Sequence, residues 1–226
     1  MNATISEIMN TRQVSNGRAS FDLNSAVSAE EGERLAAWIE AVKPDTYLEV
    51  GLAYGVSALY AGSTLRRIKP DYTHIILDPC QTEAWNGVGI HNLQKEGLWD
   101  RVKFFAEGSE TALPRIMADG TRLQAAFIDG WHTFDHALID FFYINRMLDV
   151  GGIVIFDDAN WPAITKLIDY VLKYPAYEHF GGSSLNVVRS VGRDVLRGSV
   201  PRLMPSMVAV RKTAEDKRSW DWYSAF

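Results

Sequence analysis

The sequence has little cysteine and no long apolar run. Cys80 is the single cysteine among 226 residues, which excludes an internal disulfide framework and a zinc site built from cysteines. No apolar run approaches the roughly 20 residues that a membrane-spanning helix needs. The first residues lack the basic-then-apolar order of a secretory signal peptide. We therefore expect a cytoplasmic protein with no membrane partner.

An excess of basic residues is also absent. Asp and Glu number 28 against 23 Lys and Arg, and the formal net charge is −5. A nucleic-acid partner is therefore not expected, because contacts with phosphates need a basic face. The apolar content of 47% and the charged content of 23% are ordinary for a globular protein. The length suits one domain with a sizeable core.

What the chain does contain is a regular alternation of short apolar runs and helical patterns. The apolar runs lie at 46–50, 73–78, 102–107, 123–129 and 152–158, and a later strand at 206–213 is predicted at the sheet edge. Helical patterns lie at 55–67, 84–97, 109–118, 132–148 and 161–173. Runs that are apolar throughout indicate strands buried on both faces. The alternation predicts an α/β fold, doubly wound, with a mostly parallel sheet and helices on both faces.

The two ends of the chain differ from this core, which is predicted to span 45–213. In the N-terminal segment 1–44, Ser28 and Glu31 have capping-box spacing and predict a helix start. The residues before it could cover an acceptor site or form a disordered end. The tail 214–226 is aromatic, with Trp220, Trp222, Tyr223 and Phe226. Its rings are predicted to pack on the domain's own edge or on another subunit of a homo-oligomer.

A glycine turn follows the first strand of the core. Gly51 and Gly55 flank it, and Ala53 stands where the dinucleotide fingerprint has its middle glycine. Glu49 precedes the turn and would repel a pyrophosphate but attract a cationic ligand. The alternative is a strand–helix turn that binds no ligand.

The stretch YLEVGLAYGVSALY resembles the acid-x-Gly-x-x-x-Gly loop of class I S-adenosylmethionine-dependent methyltransferases. The resemblance covers about residues 45–175 and implies a seven-stranded, Rossmann-like methyltransferase fold. It implies that S-adenosylmethionine is the cofactor, since that molecule carries a sulfonium and an ammonium and no phosphate. The implied cofactor-binding residues are Glu49, Gly51, Ala53, Gly55, Asp78, Gly108, Ser109 and Asp129.

Two positions in that set have specific roles and specific alternatives. Asp78 ends the second strand of the core and is expected to bond the ribose hydroxyls. Gly108 and Ser109 follow the third strand, and the resemblance implies that they contact the adenine. A turn or helix cap is the alternative at both places.

Acids end the next two strands as well. Asp129 ends the run 123–129, and Asp157 and Asp158 end the run 152–158. Neighbouring strands lie roughly 4.8 Å apart, so these carboxylates are expected to converge. The carboxylates repel each other, and a divalent cation bound among them would offset this repulsion. A set of ligands that are all oxygens suits Mg²⁺, Ca²⁺ or Mn²⁺. We predict a metal site of these three acids, with Mg²⁺ favoured. Lining of a metal-free pocket and capping of the helix near Trp161 are the alternatives.

The acids also resemble those of metal-dependent O-methyltransferases, in particular the macrocin O-methyltransferase and cephalosporin-hydroxylase-like group. Asp157 lies 28 positions after Asp129, as in that group, and Asp158 is the adjacent acid. In one branch of the group a histidine three residues after the first acid is the general base, which corresponds to His132. The alternative for His132 is an ordinary residue of a first helical turn. The Asp-Asn pair of catechol-type enzymes does not match Asp158-Ala159.

The expected function is therefore metal-assisted O-methylation of a small hydroxylated acceptor, with S-adenosylmethionine as methyl donor. Two alternatives retain the cofactor: a metal-independent methyltransferase, and a non-catalytic module that binds S-adenosylmethionine. A nicotinamide-dependent oxidoreductase is a further alternative, and Glu49 and the missing middle glycine argue against it.

Overall fold

A seven-stranded sheet forms the centre of the computed structural model, which describes residues 2–181 and 205–225. A separate two-stranded hairpin precedes it. The strands are β1 Gln13–Ser15, β2 Ser20–Asp22, β3 Thr46–Val50, β4 Thr73–Leu77, β5 Val102–Phe105, β6 Leu123–Ile128, β7 Leu148–Phe156, β8 Tyr177–Phe180 and β9 Val208–Lys212. The sheet order is β5-β4-β3-β6-β7-β9-β8. β9 is antiparallel to both of its neighbours, β7 and β8, and the other pairs are parallel.

Helices cover both faces of this sheet. They are α1 Ala3–Thr11, α2 Ala29–Val42, α3 Val56–Ile68, α4 Val88–Lys95, α5 Ser109–Ala118, α6 Phe134–Met147 and α7 Pro162–Val171, with a 3₁₀ turn at Trp99–Arg101. Successive residues of a strand point to opposite faces, so Phe127 joins the core under α2 and α3, whereas Ile128 joins the core under α5, α6 and α7. The predicted doubly wound fold is confirmed.

The order of the last two strands differs from the prediction. β9 was predicted at the edge, but it lies between β7 and β8, and β8 forms the edge. β9 is almost fully buried, as an inner strand should be, and even Lys212 is only 2% exposed. β8 is a four-residue strand with Glu178 and His179 in its middle, so it has no apolar run that would predict it.

The segment before the core is ordered. In α2, Ser28 Oγ accepts from the amide of Glu31 at 3.2 Å, and the Glu31 carboxylate accepts from the amide of Ser28 at 2.8 Å. This is the capping box that the spacing indicates. Ile5 and Ile8 of α1 and Val14 of β1 are buried in the core beside α3. The segment is therefore part of the packed structure.

The aromatic tail has two kinds of residue. Trp222 packs edge-on against Tyr174, with ring centres 5.6 Å apart, and the Arg218 guanidinium lies 3.3 Å from the centre of the Tyr174 ring. Trp220 and Tyr223 are 98% and 80% exposed. Contact of the exposed rings with another subunit stays a prediction, and Phe226 lies outside the described residues. Within the described ranges, no helix combines the length and apolarity that crossing a bilayer requires.

Candidate active site

The glycine turn between β3 and α3 contains three left-handed residues. Gly51 has φ +90°, Ala53 φ +46° and Gly55 φ +78°. At Gly51 a β-carbon would overlap the carbonyl oxygen of Asp129, so the turn lies directly against the end of β6. Ala53 adopts a conformation that costs a non-glycine residue of order 1 kcal/mol, and such strain concentrates at binding sites.

The Asp78 carboxylate fixes this turn. Its Oδ2 accepts from the amides of Leu52 and Ala53 at 3.1 and 2.9 Å, and its Oδ1 accepts from the amide of Cys80 at 2.7 Å. Gln81 donates to Oδ2 as well, at 2.8 Å. A dinucleotide fold uses amides of such a turn for pyrophosphate. Here a carboxylate occupies two of them, which disfavours a phosphate ligand by charge and by geometry.

Glu49 lies behind the turn and is fully buried. Ser57 Oγ donates to one carboxylate oxygen, and His74 Nε2 lies 2.9 Å from the other. Ser57 itself lines a cavity beside the turn. Sequence reasoning missed Ser57 and His74. The signal at Ser57 is a small polar residue inside the apolar first turn of α3.

The cavity has a volume of about 260 Å³ and separates the glycine turn from the acids after β6 and β7. Residues 24–27, from before α2, form a further wall. Tyr54 Oη donates to Asn24 Oδ1 at 3.2 Å and so connects this wall to the turn. The lining side chains with polar groups are Asn24, Ser25, Glu31, Tyr54, Ser57, Asp129, His132, Asp157 and Asp158.

The predicted acids converge at one side of this cavity. β6 and β7 are neighbours, and the amide of Asp157 donates to the carbonyl of Ile128 at 3.1 Å. His132 Nε2 lies 2.8 Å from Asp158 Oδ2 and 3.5 Å from Asp129 Oδ1. One ligand atom from each of these three residues lies within 4.8 Å of the others. Asp157, the third predicted metal ligand, lines the cavity next to this group.

The charges of the cluster perturb one another. The carboxylates of Asp129 and Asp158 raise the pKa of His132 to about 10, against the effect of burial. Burial raises the pKa of Asp129 to about 6, although His132 acts in the opposite direction. Burial, Asp129 and Glu31 raise the pKa of Asp157 to about 8. The cluster therefore binds extra protons at neutral pH, as crowded carboxylates do when positive charge is scarce.

Two tryptophans beside the cluster were not predicted as site residues. The ring of Trp161 lies 5.0 Å from the ring of His132, and its backbone amide donates to the carbonyl of Asp158 at 2.7 Å. Trp131 stacks on His136 at 5.6 Å. They are 50% and 66% exposed, so both offer ring surface to a ligand.

The predicted adenine contacts lie at the start of α5, where Gly108 is the N-cap residue. The Ser109 side chain lowers the pKa of Asp140 in α6, against the larger effect of burial. Asp140 is 1% exposed, and burial raises its pKa to about 6.

A family described as a methyltransferase domain matches residues 48–159, from the middle of β3 to the residue after Asp158. This stretch of the chain is therefore similar to a methyltransferase domain. The matched range contains the glycine turn, Asp78 and the whole acid cluster. The wall at 24–27 and Glu31 lie outside it.

Known methyltransferases are similar to this chain in sequence or in structure. A caffeoyl-CoA O-methyltransferase from Stellaria longipes is 29% identical over 144 residues, which are 60% of this chain and 55% of that protein. The match thus spans about half of that relative's length. The O-methyltransferase TomG from Streptomyces achromogenes, solved with S-adenosylmethionine, superposes with a TM-score of 0.69 at 15% identity and covers 95% of this chain and 91% of its own. An O-methyltransferase from Bacillus cereus, solved with S-adenosylhomocysteine, gives 0.67 at 16% identity over 94% and 92%. These superpositions show that the fold is the Rossmann-like methyltransferase fold.

Proposed function

We propose that the protein is an S-adenosylmethionine-dependent O-methyltransferase that acts on a small hydroxylated acceptor with the help of a divalent cation. The observation that supports this most strongly is the convergence of Asp129, His132 and Asp158 across the cavity from the glycine turn. A methyl donor on the turn and an acceptor at the acids would then share one cavity.

The donor side is built for a ligand without phosphate. Asp78 occupies the amides of Leu52 and Ala53, and the buried Glu49 lies behind Ser57. Both carboxylates favour the sulfonium and ammonium of S-adenosylmethionine over a nicotinamide dinucleotide. Gly51 and Gly55 let the ligand approach the backbone closely.

The acids fit a divalent cation. Burial and mutual repulsion raise the pKa of both Asp129 and Asp157, so a cation would relieve a cost that the cluster otherwise meets by binding protons. Asp129, Asp157 and Asp158 would hold it, with their spacing like that of the macrocin-type enzymes. When bound, the cation supplies a Lewis acid that lowers the pKa of the acceptor hydroxyl.

His132 is proposed to accept the proton of that hydroxyl. Its Nε2 is directed at Asp158 and Asp129, and the residue lines the cavity. Because the two carboxylates raise the pKa of the ring, it can act as a base only when they bond to something else. The exposed face of Trp161 beside His132 is suited to a planar acceptor.

The test is methyl transfer from S-adenosylmethionine to a panel of catechols, hydroxycinnamoyl thioesters and sugars, measured by mass spectrometry with Mg²⁺ and with chelator. We expect a methylated product that carries one extra CH₂ unit on oxygen, and a large loss of the rate in chelator. Absence of S-adenosylmethionine binding by calorimetry, with and without Mg²⁺, would remove the proposal.

A metal-independent methyltransferase is the second candidate. The specific observation in its favour is the 2.8 Å ion pair between His132 and Asp158, which already supplies positive charge to the acids. Product formation that is equally fast with Mg²⁺ and with chelator would favour this candidate.

A further inference from the structure

A buried polar pair connects two central strands behind the glycine turn. Glu49 of β3 and His74 of β4 both have 0% exposure, and His74 Nε2 lies 2.9 Å from Glu49 Oε2. The register pairs Tyr47 with His74 and Glu49 with Ile76, so the two side chains lie diagonally on one face of the sheet. This is the face that α3 covers.

Within residues 2–181 and 205–225, Glu49 is the one hydrogen-bond partner of the His74 side chain. Among the described residues, no atom bonds to its Nδ1, and its ring packs 4.8 Å from the ring of Tyr47. The residues that follow His74 in β4 are apolar, and an apolar residue at 74 would avoid burying a half-satisfied imidazole. The polar contact of this ring is therefore directed at Glu49.

Glu49 in turn orients a residue of the cavity wall. Its other oxygen accepts from Ser57 Oγ, and Ser57 lines the cavity. Because that hydroxyl proton points back to Glu49, the lone pairs of the Ser57 oxygen are free to face a donor in the cavity. The contacts thus run from His74 through Glu49 to Ser57.

We propose that His74 is a positioning residue of the donor site: by holding the Glu49 carboxylate in place, it keeps Ser57 ready to accept from the ammonium of the methionine part of S-adenosylmethionine. This inference rests on the function proposed above. According to this inference, binding of the methionine end of the donor depends on His74, whereas binding of the adenosine end does not.

The test compares His74→Leu with His74→Gln. The Gln amide nitrogen lies the same number of bonds from the backbone as His Nε2, so it can still donate to Glu49, whereas Leu cannot. Binding of S-adenosylmethionine and of methylthioadenosine, which lacks the amino acid end, is measured by calorimetry for each protein. His74→Asn, whose amide is too short to reach Glu49, replaces His74→Leu if circular dichroism shows that the Leu variant is unfolded.

We expect His74→Leu to weaken S-adenosylmethionine binding about tenfold or more, with methylthioadenosine binding unchanged and with recovery to near wild type in His74→Gln. Equal weakening of both ligands would show a merely structural role and overturn the inference, as would unchanged binding of S-adenosylmethionine. A wild-type protein that binds neither ligand would instead contradict the proposed function.

Discussion

Gly51 lies so close to the backbone carbonyl of Asp129 that a β-carbon at position 51 would overlap its oxygen. The residue also has φ +90°, so an alanine would suffer backbone strain in addition to the steric overlap. We expect Gly51→Ala to lower the free energy of unfolding by about 2–4 kcal/mol, from overpacking and backbone strain together. Urea denaturation measures this.

Gly120 provides the matched control for that substitution. Its φ is +77°, but nothing lies within 4 Å of a β-carbon there. Gly120→Ala should therefore cost only the conformational part, about 1 kcal/mol. If the free energy of unfolding fell equally in both variants, the overlap with Asp129 would contribute nothing to the cost at position 51.

The acid cluster is tested by Asp129→Asn. This change removes one of the charges that we propose to hold the cation, so Mn²⁺ affinity should fall about tenfold or more. Electron paramagnetic resonance of free Mn²⁺ in a titration gives the affinity directly. Asp135→Asn is the control, because Asp135 lies in the first turn of α6 with its side chain 77% exposed. Equal affinity in the two variants would count against the site.

Stability should depend on pH through Asp140. Burial raises its pKa from 3.8 to about 6, so the folded state keeps the proton where the unfolded chain has lost it. The contribution of Asp140 to stability is therefore highest below pH 3.8 and falls as the pH rises to about 6, by about 3 kcal/mol at most. Asp140→Asn removes this dependence.

The measurement for Asp140 is the difference in unfolding free energy between Asp140→Asn and wild type at pH 4 and at pH 7.5. We expect the variant to gain relative to wild type by roughly 2–3 kcal/mol between the two pH values. The absolute difference also contains the cost of an imperfectly bonded amide, which is the same at both. A difference that stays constant with pH would refute the assignment.

The C-terminal tail should contribute to stability through one ring. Trp222 packs on Tyr174 with Arg218 beside both rings, whereas Trp220 is 98% exposed. Trp222→Ala should cost about 1–2 kcal/mol, from the aromatic and cation–π contacts. Trp220→Ala should leave the thermal unfolding midpoint unchanged in the monomer. The reverse order of effects would show that the tail packs differently.

Much of the sheet could be predicted because its strands are short apolar runs that end in acids. Asp129 follows β6 and Asp158 lies just after β7. Since parallel neighbours carry their carboxyl ends at one edge, the convergence of these acids could be expected from the sequence. β8 could not be found in this way, because Glu178 and His179 interrupt its apolar pattern.

The side-chain contacts of the site depend on distances that no local pattern contains. Asp78 and Glu49 were both expected at the donor, yet Asp78 bonds to the turn itself and Glu49 points inward to His74, 25 positions away. Glu31 looks like a capping residue alone, but it also bonds to Ser206 and affects the pKa of Asp157. Such double roles appear only when the strands and helices are assembled.

The cavity wall at residues 24–27 bears on how the sequence around the cavity can vary. It faces the acids, but it lies upstream of the matched range 48–159, which contains the glycine turn and all three aspartates. This wall therefore lies on a different part of the chain from the glycine turn and the three aspartates. Under the proposed function, we expect that substitutions at residues 24–27 alter acceptor selectivity and leave the glycine turn and the three aspartates unchanged.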